Sequence, residues 1–149
     1  MRPEHDAAMA ALVRRSLKAH HLDIPGTAYF DTMLDHLSTF YEQPRRGYYV
    51  LLENGSLVGG IGFAEFEGDC CELQKLYLDE HMQGRGLGYE MIAFIEQKAR
   101  EEGYRRIYLE THTNLQAAIH IYEKAGYRQI ERPASVVHST MDRFFEKNL

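Results

Sequence analysis

The sequence predicts a single α/β (α+β) domain spanning residues 1–149, with helices packed on a central sheet. Two observations predict this fold class. Segments whose apolar residues recur at helical spacing alternate with short segments rich in β-branched and aromatic residues. In addition, a strand-like segment at residues 71–78 runs through a cluster of glycines into an amphipathic helical pattern. The chain is long enough to bury one hydrophobic core.

The first half of the chain predicts two helices followed by a hairpin. Helical spacing of apolar residues covers residues 6–17 and 29–41. The loop between these helices ends at Pro25-Gly26. Asn54-Gly55 is a strong signal for a two-residue turn. The strands that this turn joins are expected at residues 48–53 and 57–66.

The second half predicts alternating helices and strands. One helix begins at Leu87 and stops before Gly103, and another follows Asn114 as its N-cap and stops at Gly126. Segments rich in β-forming residues predict three strands, at residues 107–111, 128–132 and 139–145. His138 is expected in a loop.

The strand at residues 71–78 changes phase along its length. Cys71 and Leu73 place apolar side chains at odd positions, whereas Leu76 and Leu78 place them at even positions. Since side chains alternate between the two faces of a strand, one slip of phase predicts a β-bulge.

Composition and charge exclude several classes of protein. Seventeen basic against twenty-two acidic residues give a formal charge of −5, which argues against binding to a nucleic-acid backbone. No apolar run reaches membrane-spanning length, and the N-terminus lacks the apolar core of a signal peptide. We therefore expect a cytoplasmic protein without a nucleic-acid or membrane partner.

Neither the cysteines nor the histidines indicate a metal site. Cys70 and Cys71 are adjacent in a strand-like segment, where they point to opposite faces, so we expect two reduced thiols. The eight histidines form no H-E-x-x-H or comparable ligand pattern.

The run Gln83-Gly84-Arg85-Gly86-Leu87-Gly88 is suited to an anion. The first turn of a helix has free N–H groups, its dipole attracts negative charge, and glycine lets a phosphate approach closely. The spacing lacks the Lys-Ser or Lys-Thr pair of a Walker A loop. It also disfavours a dinucleotide-binding protein, because residue 89 is Tyr where the Rossmann pattern has its third glycine.

Two motifs carry a resemblance to a known family. The pattern Q/R-x-x-G-x-G/A is matched by Gln83, Gly86 and Gly88. The pattern N-x-x-A-x-x-x-Y-x-x-x-G-F/Y is matched by Asn114, Ala118, Tyr122, Gly126 and Tyr127. In this order and context the two motifs resemble the GCN5-related N-acetyltransferase (GNAT) superfamily, whose acetyl-CoA signature is the first pattern.

The resemblance implies a specific fold. It is a central mixed, mostly antiparallel twisted sheet of about six to seven strands, flanked by about four helices, with a bulged and splayed fourth strand at the cofactor site. Only residues 1–3 precede the first predicted helix here, so we expect the family's first strand to be very short or absent.

The resemblance also implies an activity, an acetyl-CoA-dependent N-acetyltransferase in which a primary amine attacks the thioester directly within a ternary complex. Acetyl-CoA is expected as the acyl-donor substrate, without a metal. The implied cofactor-binding residues are Leu76, Tyr77, Leu78, Gln83, Gly84, Arg85, Gly86, Leu87, Gly88, Asn114 and Tyr122. Most of the pyrophosphate binding is expected from backbone N–H groups at residues 85–88, whereas the Arg85 side chain could equally reach a phosphate or stay solvated.

The catalytic roles implied by the family fall on two residues. Tyr122 would protonate the departing thiolate, and Glu72, on the splayed strand, would accept the ammonium proton, with Glu110 and His112 as alternatives for this base. The backbone N–H of Leu78 would stabilise the developing oxyanion.

The acceptor is expected to be a small-molecule or peptide amine bound by residues 20–41 and 132–139, and the family allows a homodimer. The alternative function is a non-catalytic acyl-CoA-binding sensor or regulatory module.

Overall fold

The computed structural model describes residues 1–137 and 139–149. Within these residues the chain forms four α-helices and six strands. The helices are α1 (Asp6–Ala19), α2 (Leu37–Phe40), α3 (Leu87–Glu101) and α4 (Gln116–Lys124). The strands are β1 (Gly47–Glu53), β2 (Ser56–Glu67), β3 (Cys70–Leu78), β4 (Arg106–Thr111), β5 (Arg128–Ile130) and β6 (Arg143–Asn148). His138, predicted in a loop, lies outside the described residues.

The strands form one open mixed sheet in the order β1-β2-β3-β4-β6-β5. Neighbouring strands are antiparallel except β3 and β4, which are parallel. The predicted mixed, mostly antiparallel sheet with about four helices is therefore confirmed.

Each face of the sheet packs against helices because side chains alternate along the strands. On one face, residues of α3 such as Ile92 and Ile95 form a buried cluster with Cys71 and Leu73. On the other face, α1 packs its buried Met9, Val13 and Leu17 against Tyr48 and Ala64. Two apolar clusters thus sandwich the sheet.

The hairpin and the bulge occur where the sequence predicts them. Asn54 and Gly55 have φ values of 51° and 82°, which join β1 to β2 in a tight turn. Gly60 lies opposite Tyr77 and Gly62 opposite Gln74, so one residue of β2 faces two residues of β3. Lys75, inside this bulge, has a φ of 51°.

The predicted helix over residues 29–41 is wrong. The segment contains two 3₁₀ turns, Ala28–Phe30 and Leu34–His36, followed by the single turn of α2. Asp31 interrupts the segment with extended backbone angles, and its side chain accepts a hydrogen bond from the Met33 N–H at 2.9 Å. Such local side-chain bonds compete with helical ones.

The ends of the chain also differ from expectation. The last strand begins at Arg143 rather than at residue 139, because the Arg132 side chain and the Ser139 hydroxyl hold the backbone of residues 139–141. Within the described chain no strand precedes α1, as expected. Instead, residues Pro3–His5 form a 3₁₀ turn, and the terminal ammonium group donates to the Tyr48 carbonyl.

Both cysteines are free and buried, so the prediction of two unpaired thiols is confirmed. Burial raises the pKa of Cys70 to about 11 and that of Cys71 to about 12. In the described part of the chain, no helix is both long and apolar enough to cross a membrane.

Candidate active site

The site begins where the parallel strands β3 and β4 separate. The two strands pair at Cys70, Cys71 and Glu72, opposite Arg106, Ile107 and Tyr108, and the ladder ends there. Beyond this point the gap opens into a cleft of about 830 Å³. Within the described residues the splayed strand is thus the third in chain order and not the fourth, because no strand precedes α1 there.

Ten of the predicted site residues line this cleft together. They are Glu72, Leu76, Tyr77, Leu78, Gln83, Gly84, Gly86, Leu87, Gly88 and Tyr122. The cleft extends from α3 and α4 on one face of the sheet to residues 26–31 and the end of α1 on the other face. It therefore connects the glycine loop to the segment expected to bind the acceptor.

The bulge turns backbone groups of β3 toward the cleft. Asp79 N–H donates to the Val58 carbonyl at 2.8 Å, and Leu78 lies opposite Gly59. Because hydrogen-bonded pairs alternate with non-bonded pairs in antiparallel strands, the Leu78 N–H and carbonyl point away from β2. The Leu78 carbonyl accepts a bond from the Gln83 side chain at 3.3 Å, which is consistent with this direction.

The glycine loop has the geometry of an anion site. Gly84 and Gly86 have φ values of 74° and 79°, and a Cβ atom at either position would meet nothing within 4 Å. Gly86 is the N-cap of α3, so the following N–H groups begin the helix without partners in its preceding turn. A Cβ at Gly88 would come within 2.9 Å of Ile121 Cδ1, so glycine is required there for α3 to approach α4.

The side chain of Arg85 points away from the cleft. Its guanidinium forms an ion pair with Glu53 at 3.0 Å and contacts Met82 Sδ at 2.9 Å. Within the described structure Arg85 does not line the cleft, so the solvated, surface-paired alternative describes this side chain. The predicted role of its backbone N–H remains a prediction.

Tyr122 reaches the cleft from α4. Its ring is 6% exposed and packs against Tyr127 and Phe145, with ring centroids 5.9 Å and 6.3 Å away. Burial raises the pKa of its hydroxyl above the ordinary value, so the group keeps its proton near neutral pH. A buried phenol beside a cleft can therefore act as a proton donor.

Glu72 enters the cleft from β3, next to Glu110 of β4. Burial raises the pKa of Glu72, and the Glu110 carboxylate raises it further, whereas the hydrogen bond from Gln74 and the charge of Lys75 oppose the shift. Neither glutamate forms an ion pair with any residue that the structure describes. Two neighbouring carboxylates without an ion-pair partner favour a positively charged ligand.

The positions of Glu110 and His112 distinguish between these two alternative bases. Glu110 lines the cleft and accepts a hydrogen bond from Tyr108 at 3.3 Å. His112 lies outside the cleft in the described chain, and its Nδ1 accepts a bond from the Asn114 N–H at 3.1 Å. The geometry therefore retains Glu72 and Glu110 as candidates.

The prediction that Asn114 caps α4 is wrong. The helix begins at Gln116 after Leu115, and the Asn114 side chain donates instead to the His20 carbonyl at 3.0 Å. This bond ties the start of α4 to the end of α1. Among the described residues Asn114 is not part of the cleft wall, so its contact with the cofactor remains a prediction.

Comparison with known proteins identifies the family. A family model described as "Acetyltransferase (GNAT) family" matches residues 14–127. The chain belongs to the GNAT acetyltransferase family. The predicted enzyme class, an N-acetyltransferase of this superfamily, is thereby confirmed at the level of the family.

Three curated relatives support this assignment. The chain is 36% identical over 132 residues to an uncharacterized N-acetyltransferase of Escherichia coli, with 86% of this chain and 79% of that protein covered. It is 34% identical to a probable spermine N(1)-acetyltransferase of Bacillus subtilis subsp. natto, covering 59% and 60%. It is 30% identical to an aminoalkylphosphonate N-acetyltransferase of Salmonella typhimurium, covering 58% and 59%.

Solved structures confirm the fold. A GNAT acetyltransferase from Staphylococcus aureus has a TM-score of 0.87 at 18% identity, covering 99% of this chain and 95% of that chain. A putative acetyltransferase from Salmonella typhimurium, solved with acetyl-CoA, has a TM-score of 0.78 at 18% identity, covering 99% and 90%.

Several GNAT cleft residues were not predicted from the sequence. Lys75 lines the cleft and forms an ion pair with Asp31 at 3.1 Å, which fastens the segment before α2 to the bulge. Gln74 also lines the cleft and hydrogen-bonds Glu72 at 2.7 Å. The phase slip in β3 predicted a bulge in this part of the strand, but nothing in the sequence pattern indicated that these two side chains line the cleft.

Proposed function

We propose that this chain transfers an acetyl group from acetyl-CoA to a primary amine by direct attack in a ternary complex. The observation that carries the proposal is the cleft through the sheet, which joins an anion-binding glycine loop to a pair of unpaired carboxylates. Acetyl-CoA would supply a thioester, which an amine can attack without a metal. The described residues contain no group of three His, Cys, Asp or Glu side chains suited to a metal ion.

The residues present fit acetyl-CoA. Gly84 and Gly86 leave open space beside the first turn of α3, where backbone N–H groups are suited to a pyrophosphate. The backbone of Leu76 and Leu78 lies along the wall of the same cleft, with Leu78 N–H directed away from β2. This N–H would donate to the acetyl carbonyl oxygen and stabilise the negative charge that develops there.

Two side chains would move the protons. Glu72 would accept a proton from the ammonium group of the acceptor, directly or through a water molecule, and the neutral amine that forms would attack the thioester. Tyr122 would donate its phenolic proton to the sulfur that leaves when the C–S bond breaks, and the second proton that the nitrogen loses as the amide forms would restore the Tyr122 phenol through water. Both groups line the cleft. Tyr122 keeps its proton, as a proton donor must, and Glu72 acts as the acceptor in its ionised form. Holding both substrates together would supply much of the remaining rate gain.

The acceptor we propose is a cationic primary amine. Glu72 and Glu110 supply unpaired negative charge beside residues 26–31, the segment expected to bind the acceptor. Relatives are named for spermine and for aminoalkylphosphonates, both of which are amines. The cytoplasmic location and a homodimer stay predictions.

The test is turnover with a panel of amines. Purified protein is incubated with acetyl-CoA and polyamines, aminoalkylphosphonates, amino acids, aminoglycosides or lysine peptides, and both free thiol and acetylated product mass are measured. We expect release of thiol matched by product with at least one amine. Binding of acetyl-CoA without turnover on any amine would favour the sensor or regulatory module instead. Absence of both binding and turnover would reject both functions.

A further inference from the structure

A pair of hydrogen bonds connects Glu72 to the core below it. The Tyr41 hydroxyl donates to Gln74 Oε1 at 2.7 Å, and Gln74 Nε2 donates to Glu72 Oε2 at 2.7 Å. Tyr41 is 7% exposed, and its ring packs against Tyr48 with centroids 5.0 Å apart. The far end of this chain of bonds is therefore fixed in the core.

The direction of these bonds follows from the groups involved. An ionised carboxylate can only accept, so Glu72 requires the amide nitrogen of Gln74 to face it. The amide oxygen then faces Tyr41, whose hydroxyl can donate to it. With its amide reversed, Gln74 would present an acceptor to Glu72, and only a protonated carboxyl group could satisfy that acceptor. Because the Tyr41 hydroxyl can donate or accept, the ionised Glu72 is the group that selects this amide orientation, and Tyr41 braces it by donating to Oε1.

We propose that Gln74 and Tyr41 are positioning residues that orient the Glu72 carboxylate and hold it ionised for proton abstraction. The inference rests on the proposed function, because only that function gives Glu72 the role of a base. The two hydrogen bonds do not depend on it. Neither residue needs to contact the reacting atoms. A carboxylate accepts a stronger hydrogen bond than a neutral carboxyl group, so the Gln74 bond stabilises the charged form.

Other charged and titratable groups around Glu72 also affect its pKa. Glu110 and Tyr108 face Glu72 from β4. Lys75 lies on β3, as Glu72 does, and forms an ion pair with Asp31 from the segment before α2. Burial and Glu110 raise the pKa of Glu72, while Gln74 and Lys75 lower it. Gln74→Leu and Tyr41→Phe leave these charges in place, so a change in the titration of Glu72 reports on the pair.

The experiment measures the titration of Glu72 in two ways. The acidic limb of kcat/KM is recorded with the best amine, and the Glu72 carboxyl carbon is titrated by NMR, which needs no activity. Gln74→Leu should raise both midpoints by about one pH unit, since one pKa unit corresponds to the loss of a single hydrogen bond to a charge. Tyr41→Phe should raise them by less, because the bond from the Gln74 amide to Glu72 remains and only the hydroxyl that braces the amide is lost.

Tyr104→Phe is the matched control. Tyr104 is 3% exposed and its hydroxyl donates to the Arg45 carbonyl at 2.9 Å, so this variant also removes a hydrogen-bonded phenol from the core. Its midpoints should equal those of the parent.

The outcomes separate this inference from the proposed function. Unchanged NMR midpoints in both Gln74→Leu and Tyr41→Phe would overturn the inference, even if KM changes. Raised NMR midpoints together with no turnover by the parent protein would support the hydrogen-bonded pair and contradict the proposed function. Raised midpoints in both measurements support the two together.

Discussion

At the scale of single residues, burial biases the two proposed proton carriers toward useful states. Burial and the Glu110 carboxylate raise the pKa of Glu72 above its ordinary value, which makes the ionised carboxylate a stronger base. Burial also raises the pKa of Tyr122, so its phenol stays protonated. A proton acceptor and a proton donor therefore line the same cleft, from different faces of the sheet.

The first prediction concerns Glu72 and its pH dependence. A base acts in its ionised form, so activity should be lost as the pH falls through a pKa that lies above the ordinary value for glutamate. Glu72→Gln should lower kcat/KM most at acidic to neutral pH and recover at high pH, where the amine is already neutral. The pH profile of kcat/KM is compared with that of Glu110→Gln. Full activity of Glu72→Gln together with an inactive Glu110→Gln would assign the base to Glu110.

The second prediction concerns Tyr122. Tyr122→Phe keeps the ring in its cluster and should leave the fold and the affinity for CoA intact, while kcat falls by about 10²–10⁴-fold, as is typical for a lost acid–base group. Tyr127→Phe is the matched control, because Tyr127 is buried in the same cluster but is not part of the described cleft wall. If both variants turn over like the parent, Tyr122 is a core residue and the acid is another group.

Prediction from sequence succeeded at residues whose position is fixed by a motif. Tyr122 and the motif glycines line one cleft, as expected, together with Glu72, which the resemblance placed on the splayed strand. It failed where a side chain's partner comes from a distant segment. Tyr41 and Gln74 are 33 positions apart, and the Asn114 side chain bonds a carbonyl 94 positions away rather than its own helix. Periodicity and motifs carry no information on such contacts.

At the scale of elements, the glycine loop and α3 form a unit whose backbone we propose as the phosphate-binding site. Gly86 is left-handed and stands directly before the first turn of a fifteen-residue helix. Both the helix and its preceding glycines were predictable, because a strand, a glycine run and an amphipathic pattern follow one another in the sequence. The actual structure of residues 29–41 was not predictable from helical spacing. Asp31 accepts a hydrogen bond from the Met33 N–H and forms an ion pair with Lys75, and these contacts break the predicted helix.

The third prediction separates phosphate binding from backbone strain. Gly86 and Gly55 have nearly equal φ values of 79° and 82°, and a Cβ at either would meet nothing within 4 Å. Gly86→Ala and Gly55→Ala should therefore lose a similar stability, about 1 kcal/mol each. Calorimetric titration should show that the affinity for CoA falls by about tenfold or more in Gly86→Ala, a loss of about 1.4 kcal/mol. Gly55→Ala should bind like the parent, and equal affinities of both variants would remove the loop from the phosphate site.

At the scale of the whole molecule, the cleft forms because β3 and β4 separate within a sheet whose two faces are otherwise covered by helices. The two apolar clusters hold β2 and β3 in place, and the parallel pairing of β3 with β4 ends at Glu72. Strand order and this separation depend on long-range pairing, which no local pattern of residues encodes. The resemblance to the family supplied the mixed sheet and the splayed strand in advance but not the strand order, and the residues themselves indicated only the bulge in β3.

The most direct test of the account is whether acetyl-CoA contacts these backbone groups. Hydrogen-exchange rates of individual backbone amides are measured by NMR with and without saturating acetyl-CoA, with NAD as a comparison ligand. We expect slower exchange at Leu78 and at residues 84–88 with acetyl-CoA alone, and unchanged exchange at the Asn54-Gly55 turn. Unchanged rates at Leu78 and residues 84–88 under saturating acetyl-CoA, or equal protection by NAD, would contradict it.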